Sequence, residues 1–244
     1  MGIKMNGPKI IFTIPIWGGI HVTESIVNMW AIMAALVILS SILTRNLKVR
    51  HPSKRQLALE KLVTMLNDLV TDNMGSEYSD FSPYIGTLFI LSIVGSLSSL
   101  LAMRPYTADL SVIFAWTIIT FIMIQANNIK HHGVFGWIKS FSEPVAFITP
   151  LNIISEIANP ISMTFRHFGN IAAGLVITSL VYGGLASLSA AVLKWVPSGF
   201  LAAVPILQVG LPAVLSVYFD LFTSFLQAYI LCMLTMVFIK SSGE

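Results

Sequence analysis

Two apolar stretches, Pro150 to Tyr182 and Phe200 to Ile239, each run longer than a membrane requires and carry very little charge. About 20 mostly apolar residues suffice to cross roughly 30 Å of hydrocarbon. As a single helix Pro150 to Tyr182 would measure about 50 Å, so it has to tilt or break. Pro160 is the expected kink, and Pro205 and Pro212 interrupt the first third of the second stretch. Gly183-Gly184 and Pro197-Ser198-Gly199 mark the expected loop region between the two. Two long, tilted helices of this kind suggest a shaped surface inside a membrane.

Three shorter spans precede them: Ile26 to Thr44, Phe81 to Met103, and Leu110 to Ile129. Across 244 residues 55% are hydrophobic and only 10% charged, against about 25% charged in an average soluble domain. A mean hydropathy of +0.81 leaves more apolar surface than one soluble core can hide. These values exclude a soluble cytosolic enzyme and a disordered chain. The expected fold is an all-α integral membrane protein, one membrane domain over residues 1–244. It has about five membrane-crossing helices, the last two (150–182 and 200–239) forming a long tilted hairpin.

Between the first two spans, Lys54 to Asp72 sets Leu57, Leu59, Leu62, Val63, Leu66, Leu69 and Val70 among charges. The largely 3–4 spacing predicts an amphipathic helix lying on the membrane surface. A small soluble helix packed on a partner is the alternative. Phe135 to Phe141 reads as a second, shorter interfacial piece. The run Ile10 to Ile16 contains Pro15 and lacks a cleavage site, so no removable signal is expected. That favours a bacterial-type plasma membrane over import into an organelle.

Basic residues set the orientation. Arg45, Lys48, Arg50, Lys54, Arg55 and Lys61 follow the first span directly, which places that loop in the cytoplasm. Five crossings then put the N-terminus outside and the C-terminus inside. Lys130, Lys139 and Lys240 join the inner set, while Lys4, Lys9, Arg104 and Lys194 fall outside. The arrangement accounts for the basic pI near 9.0 without nucleic acid. One cation remains, and it lies within the membrane.

That residue is Arg166, midway between Pro150 and Tyr182. An arginine at the centre of a membrane helix costs about 2.5–3.5 kcal/mol on insertion scales. Such a residue either lines a substrate or ion path or sits in a static pair with a carboxylate or lipid phosphate. Asn170 follows one turn later on the same face, continued by Ala173, Gly174 and Ile177. This strip of small residues permits close helix approach, within the chain or to a partner. His167 lies about 100° from Arg166 around the helix and faces a different neighbour.

The last stretch carries a second polar row: Asp220, Thr223, Ser224 and Gln227 share one helical face. The row suits a proton or hydrated-ion relay, or a polar clamp between helices. Thr223 and Ser224 carry less weight, because hydroxyls in membrane helices often bond their own backbone. Glu156, with Asn152, Ser155, Asn159 and Ser162 around it, suggests a wet cavity opening inward. No Gly-rich phosphate loop and no zinc-binding His pair is present. His131-His132 reads as a solvated loop pair. The single Cys232 excludes a disulfide framework and any multi-cysteine metal site. No cofactor, metal or catalytic residue is expected.

Three motifs, in order, resemble subunit a of F-type ATP synthases. Arg166-His-Phe-Gly-Asn170, inside the run Asn159 to Gly174, resembles the family's Arg-Leu-Phe-Gly-Asn. Pro105-Tyr-Thr-Ala-Asp109-Leu110 is similar to its Pro-Thr-Ala-Asp-Leu turn, and Leu226-Gln227-Ala228-Tyr229-Ile230 to its Leu-Gln-Ala-Phe-Ile segment. The resemblance implies a stator subunit, not catalytic by itself, within the whole ATP synthase complex. Its partners would be a rotating ring of c subunits, the b subunits of the peripheral stalk, and membrane lipid.

By that resemblance Arg166 is the stator charge between two offset half-channels. Asn170, Asp220 and Gln227 match the outward-facing pathway, and Glu156, with Asn152 and Asn159, the inward-facing one. His167 stands where Leu is usual. Leu175 occupies a site that many members fill with a titratable residue, so Asp220 is expected to do this work alone. Whether the ion is H⁺ or Na⁺ rests largely on groups of the c ring. Two other classes compete: a membrane protein insertase with a hydrated Arg groove, and a self-contained ion-coupled transporter. The first should carry a large extramembrane domain or a basic tail. The second normally shows internal repeats, and the two halves of this chain show none.

Overall fold

The computed structural model describes residues 9–15, 19–49, 52–101, 103–142, 145–193 and 217–243. Among the described residues five helices are long and apolar enough to cross a membrane, and the protein is an all-α membrane protein. A bilayer leaves no water for the backbone, so each span must satisfy its own N–H and C=O groups, which a helix does.

A short hairpin precedes the helices. Strand β1 (Ile10–Ile14) pairs antiparallel with β2 (Ile20–Thr23). Ile10, Ile11 and Phe12 are all exposed. No strict alternation of apolar and polar residues announces these strands in the sequence. Helix α1 (Glu24–Leu43) is apolar on every side and packs little, with Val37, Ile38, Leu39 and Ile42 each at least half exposed. Such a helix suits lipid contact. Asn28 Nδ2 donates to the carbonyl of Arg104 at 3.2 Å and ties α1 to a distant turn.

Helix α2 (Lys54–Met74) begins where the Ser53 hydroxyl accepts from the Gln56 N–H at 3.2 Å. Gln56 also clamps Lys48, accepting from its N–H and donating to its carbonyl, both at 2.9 Å. Val70 and Met74 enter the core, while Leu57, Leu62, Val63 and Met65 stay exposed among charges. Gly75, at φ 99°, ends the helix in a conformation side chains rarely adopt.

Helix α3 (Ser82–Leu97) is flanked by 3₁₀ segments at Ser76–Phe81 and Ser98–Leu101 and leads into the Pro105–Leu110 corner. Tyr106 fills that corner. It is fully buried, donates its hydroxyl to the Leu91 carbonyl at 2.7 Å, and meets Trp116 edge-on at 5.9 Å. A Cβ at Gly95 would collide with its ring. Asp109 then caps helix α4 (Leu110–Ser140), accepting from the Ser111 N–H at 3.1 Å.

Helix α4 is broken at Gly133, which takes φ 68° and ψ 170°. Twelve residues of straight helix would separate Gln125 from Trp137 by about 18 Å. Instead Trp137 Nε1 donates to Gln125 Oε1 at 2.7 Å. The chain therefore doubles back after Gly133.

Helix α5 (Thr149–Leu193) is one 45-residue element with Pro160 inside it. It runs through Gly183-Gly184, where a loop was expected. Glycine is a poor helix former in water, but in an apolar setting a broken turn would strand backbone groups. Pro197-Ser198-Gly199 and residues 200–216, where the final stretch was expected to begin, lie outside the described residues. Helix α6 (Thr223–Ser241) follows a π-helical turn at Val217–Phe222.

The core gathers Val70, Met74, Ile85, Leu88, Ile124, Met163, Leu231, Cys232, Met236 and Ile239. Helix α3 packs chiefly on α6, and α4 on α5. Asn127 Nδ2 fastens the end of α6 by donating to the Ile239 carbonyl at 2.9 Å. The Lys240 ammonium reaches the Asn73 carbonyl at 3.5 Å.

Candidate functional site

Arg166 is exposed, about two fifths of the way along α5. Its neighbours in sequence explain why. Met163, Thr164 and His167 are at most 4% exposed and turn toward the other helices. At about 100° per residue this leaves Arg166 and Phe165 facing outward. A guanidinium on the outer face of a membrane protein has to meet water, a headgroup or a partner's charge.

The polar row of α6 faces inward. Thr223, Ser224 and Gln227 are all nearly buried. Gln227 and Arg166 border one narrow crevice between α5 and α6, with Met163, His167, Ile230 and Leu231. One turn further along α5, half-buried Asn170 borders a second narrow cleft together with Ser224, Gly174 and Leu175. The Thr223 hydroxyl donates to the Tyr218 carbonyl at 3.0 Å, five residues back, which fits the π turn. Asp220 belongs to that turn by its backbone, and its side chain lies outside the described residues.

Glu156 sits about 15 Å before Arg166 along α5. It is half-buried and accepts from Gln125 Nε2 at 2.6 Å. The same Gln125 takes the Trp137 indole N–H on its oxygen, so its amide orientation is fixed from both sides. Asn152 Nδ2 donates to the Phe141 carbonyl at 2.9 Å. Glu156, Asn152, Ser155, Gln125, Asn128 and Ser140 surround a polar cavity of about 290 Å³, room for several waters. Asn159 is half-buried and borders none of these spaces.

Several polar residues at these clefts escaped the sequence reading. Ser96 and Ser99, from the end of α3, complete the cleft of Asn170. Gln125 and Asn128 complete the cavity of Glu156. A signal existed for the latter: amides at 125, 127 and 128 are clustered at the end of an otherwise apolar span. The serines carried none, since isolated hydroxyls are common in membrane helices.

The arrangement is an exposed cation with a polar cleft beyond it and a polar cavity before it. Comparison with known proteins agrees in direction. A family model described as the ATP synthase A chain matches residues 26–240. The chain is similar to "ATP synthase subunit a, sodium ion specific" of Propionigenium modestum, 28% identical over 98% of this chain and 86% of the relative. It is also similar to "ATP synthase subunit a 1" of Crocosphaera subtropica, 31% identical over 92% and 89% of the two chains. "ATP synthase subunit a 3" of Pelobacter propionicus is 30% identical over 88% and 85%.

Proposed function

The chain belongs to the subunit a family of F-type ATP synthases, a multi-pass component of their membrane sector, and on that premise we propose that it is the stator of an ion-driven rotor. Two offset half-channels load and unload carboxylates on a rotating c ring, and Arg166 keeps the channels apart. The observation that carries this reading is the placement of one exposed guanidinium between two separate polar spaces on the same helix.

A carboxylate in hydrocarbon is favoured in its neutral form, so ring carboxylates cross lipid only when loaded. Arg166 makes the charged form tolerable at one place. Asn170, Ser224 and Gln227, with Asp220 and Thr223, furnish the outward path. Glu156 and Asn152 furnish the inward one, while Asn159, on the same helix, stands off their cavity. The attraction has to stay moderate. At 4 Å with an effective dielectric near 20 it amounts to about 4 kcal/mol, while one charge crossing 100 mV supplies about 2.3 kcal/mol. A dry, tight pair would stall the rotor, so the Arg166–carboxylate contact is hydrated or transient.

In this reading the N-terminus lies outside and the C-terminus in the cytoplasm of a bacterial membrane. Helix α2 rests along the inner surface, and b subunits hold the assembly still. The sodium specificity named for the Propionigenium modestum protein is a property of that complex. Here the pumped ion is read directly, by comparing H⁺ and Na⁺ uptake.

The test is ATP-driven ion pumping in vesicles carrying Arg166→Ala beside wild type, with passive leak recorded. Loss of pumping in an assembled complex is expected, with added leak if Arg166 also separates the channels. Normal pumping would overturn the assignment.

A further inference from the structure

Arg166 is useful to a rotor only if α5 holds one rotational setting, and a bilayer makes that setting hard to keep. An apolar side chain gains little by facing protein instead of lipid, because the two are about equally apolar. A hydroxyl or imidazole does distinguish them, since in lipid it loses its hydrogen bond. Two such side chains flank Arg166 in sequence, and both are buried away from it.

Thr164 is 2% exposed, and its hydroxyl lies 2.6 Å from the hydroxyl of Thr117 on α4, itself 1% exposed. Each hydroxyl also has a carbonyl of its own helix in reach, Pro160 at 2.7 Å and Phe114 at 3.0 Å. Two protons serve these three contacts, so one hydroxyl donates across the helix interface and the other to a carbonyl. His167 is 1% exposed, and its Nε2 lies 3.4 Å from the hydroxyl of fully buried Ser92 on α3. A serine can donate or accept, so this contact serves either imidazole tautomer.

On a helix Thr164 lies about 200° from Arg166 and His167 about 100°. The two point toward different neighbouring helices from the side of α5 that Arg166 does not occupy. We propose that Thr164–Thr117 and His167–Ser92 form a two-point polar clamp that fixes the rotation of α5 and so aims Arg166 outward. His167 and Thr164 are positioning residues, and this role rests on the reading of Arg166 as the stator charge. A slip of one residue that set Arg166 where His167 now stands would turn the guanidinium inward and leave His167 in the half-buried setting of Phe168.

The experiment measures ions pumped per ATP hydrolysed by the assembled complex in vesicles, for Ser92→Ala, His167→Leu, their combination, and His167→Gln. Each single change is expected to lower that ratio about two- to tenfold, and the double change no further than the worse single, as befits two partners in one contact. His167→Gln, whose amide nitrogen reaches about as far as Nε2, is expected to restore most of the ratio. Ser92→Ala removes one oxygen and carries the test alone if His167→Leu fails to assemble. A wild-type ratio in Ser92→Ala, or fully additive losses in the double variant, would overturn the clamp. Arg166→Ala in the same series separates the two ideas. If it abolishes pumping while the clamp variants stay fully coupled, the clamp alone is wrong. If it pumps normally, the stator reading is wrong.

Discussion

Gln125 on α4 donates to Glu156 on α5 at 2.6 Å, while its own carbonyl oxygen is held by the Trp137 indole. Three segments of chain thus converge on one carboxylate at the edge of a polar cavity. The bend at Gly133 makes this possible by returning Trp137 to Gln125.

The first prediction concerns that carboxylate. Gln125→Leu leaves Glu156 without its donor and the Trp137 N–H without its acceptor. Losing a partner costs about 1–3 kcal/mol per stranded buried group, reduced here because Glu156 still meets its cavity. Pumping should fall several-fold with passive leak unchanged, since Arg166 remains. Glu156→Gln keeps the amide contact and loses the charge. If the inward path needs a titratable group, Glu156→Gln will pump no better than Glu156→Ala. Vesicle pumping assays on the three variants decide it.

Gly95→Ala should destabilise the membrane domain by about 1–3 kcal/mol, because the added methyl meets the Tyr106 ring. Tyr106→Phe should cost about 1 kcal/mol through the lost bond to the Leu91 carbonyl. In Gly95→Ala combined with Tyr106→Leu the collision is relieved, so the losses should be less than additive. Thermal denaturation of the purified complex, followed by release of this subunit, reads all three.

Helical periodicity tells which residues share a face of one helix, and it does so without knowing the neighbours. It sets Thr223, Ser224 and Gln227 on one side of α6, all of which turn out buried. It is silent on which helix lies opposite. Glu156 and Gln125 are 31 residues apart, and Thr117 and Thr164 are 47 apart. No local pattern joins them. The path through Gly183-Gly184 was misjudged because glycine pairs break helices in water, where exposed backbone is tolerated. The Ile10–Thr23 hairpin is short and lacks the strict alternation that announces a strand. The doubling-back at Gly133 depends on one dihedral angle, which the sequence around it does not announce.

Gly133→Ala should weaken that doubling-back. Nothing lies near the position a Cβ would take, so the cost comes from the backbone alone, about 1–3 kcal/mol for an alanine at φ 68° and ψ 170°, a region essentially confined to glycine. The consequence should appear at the far end of the loop as a loosened Trp137. Its fluorescence in the variant should become more accessible to an aqueous quencher, against a background in which the other tryptophans are replaced by Phe. Unchanged quenching would mean that the Trp137–Gln125 bond holds the bend without help from the glycine.

Asp220 and Leu175 supply the last prediction. If Asp220 is the titratable group of the outward path, Asp220→Asn should abolish most pumping while leaving the complex assembled. Leu175 borders the cleft of Asn170 and Ser224, and Ser224 follows Asp220 by one helical turn. A carboxylate at position 175 would therefore enter the same polar cleft from the α5 side. It would meet serine hydroxyls and the Asn170 amide there, which lower the cost of carrying charge. Leu175→Glu in the Asp220→Asn background should recover a measurable part of the pumping. It should recover none when Asn170 is also changed to Leu, since the cleft then loses its amide. Recovery that survives Asn170→Leu would show that the ion bypasses this cleft, and a fully active Asp220→Asn would remove Asp220 from the path.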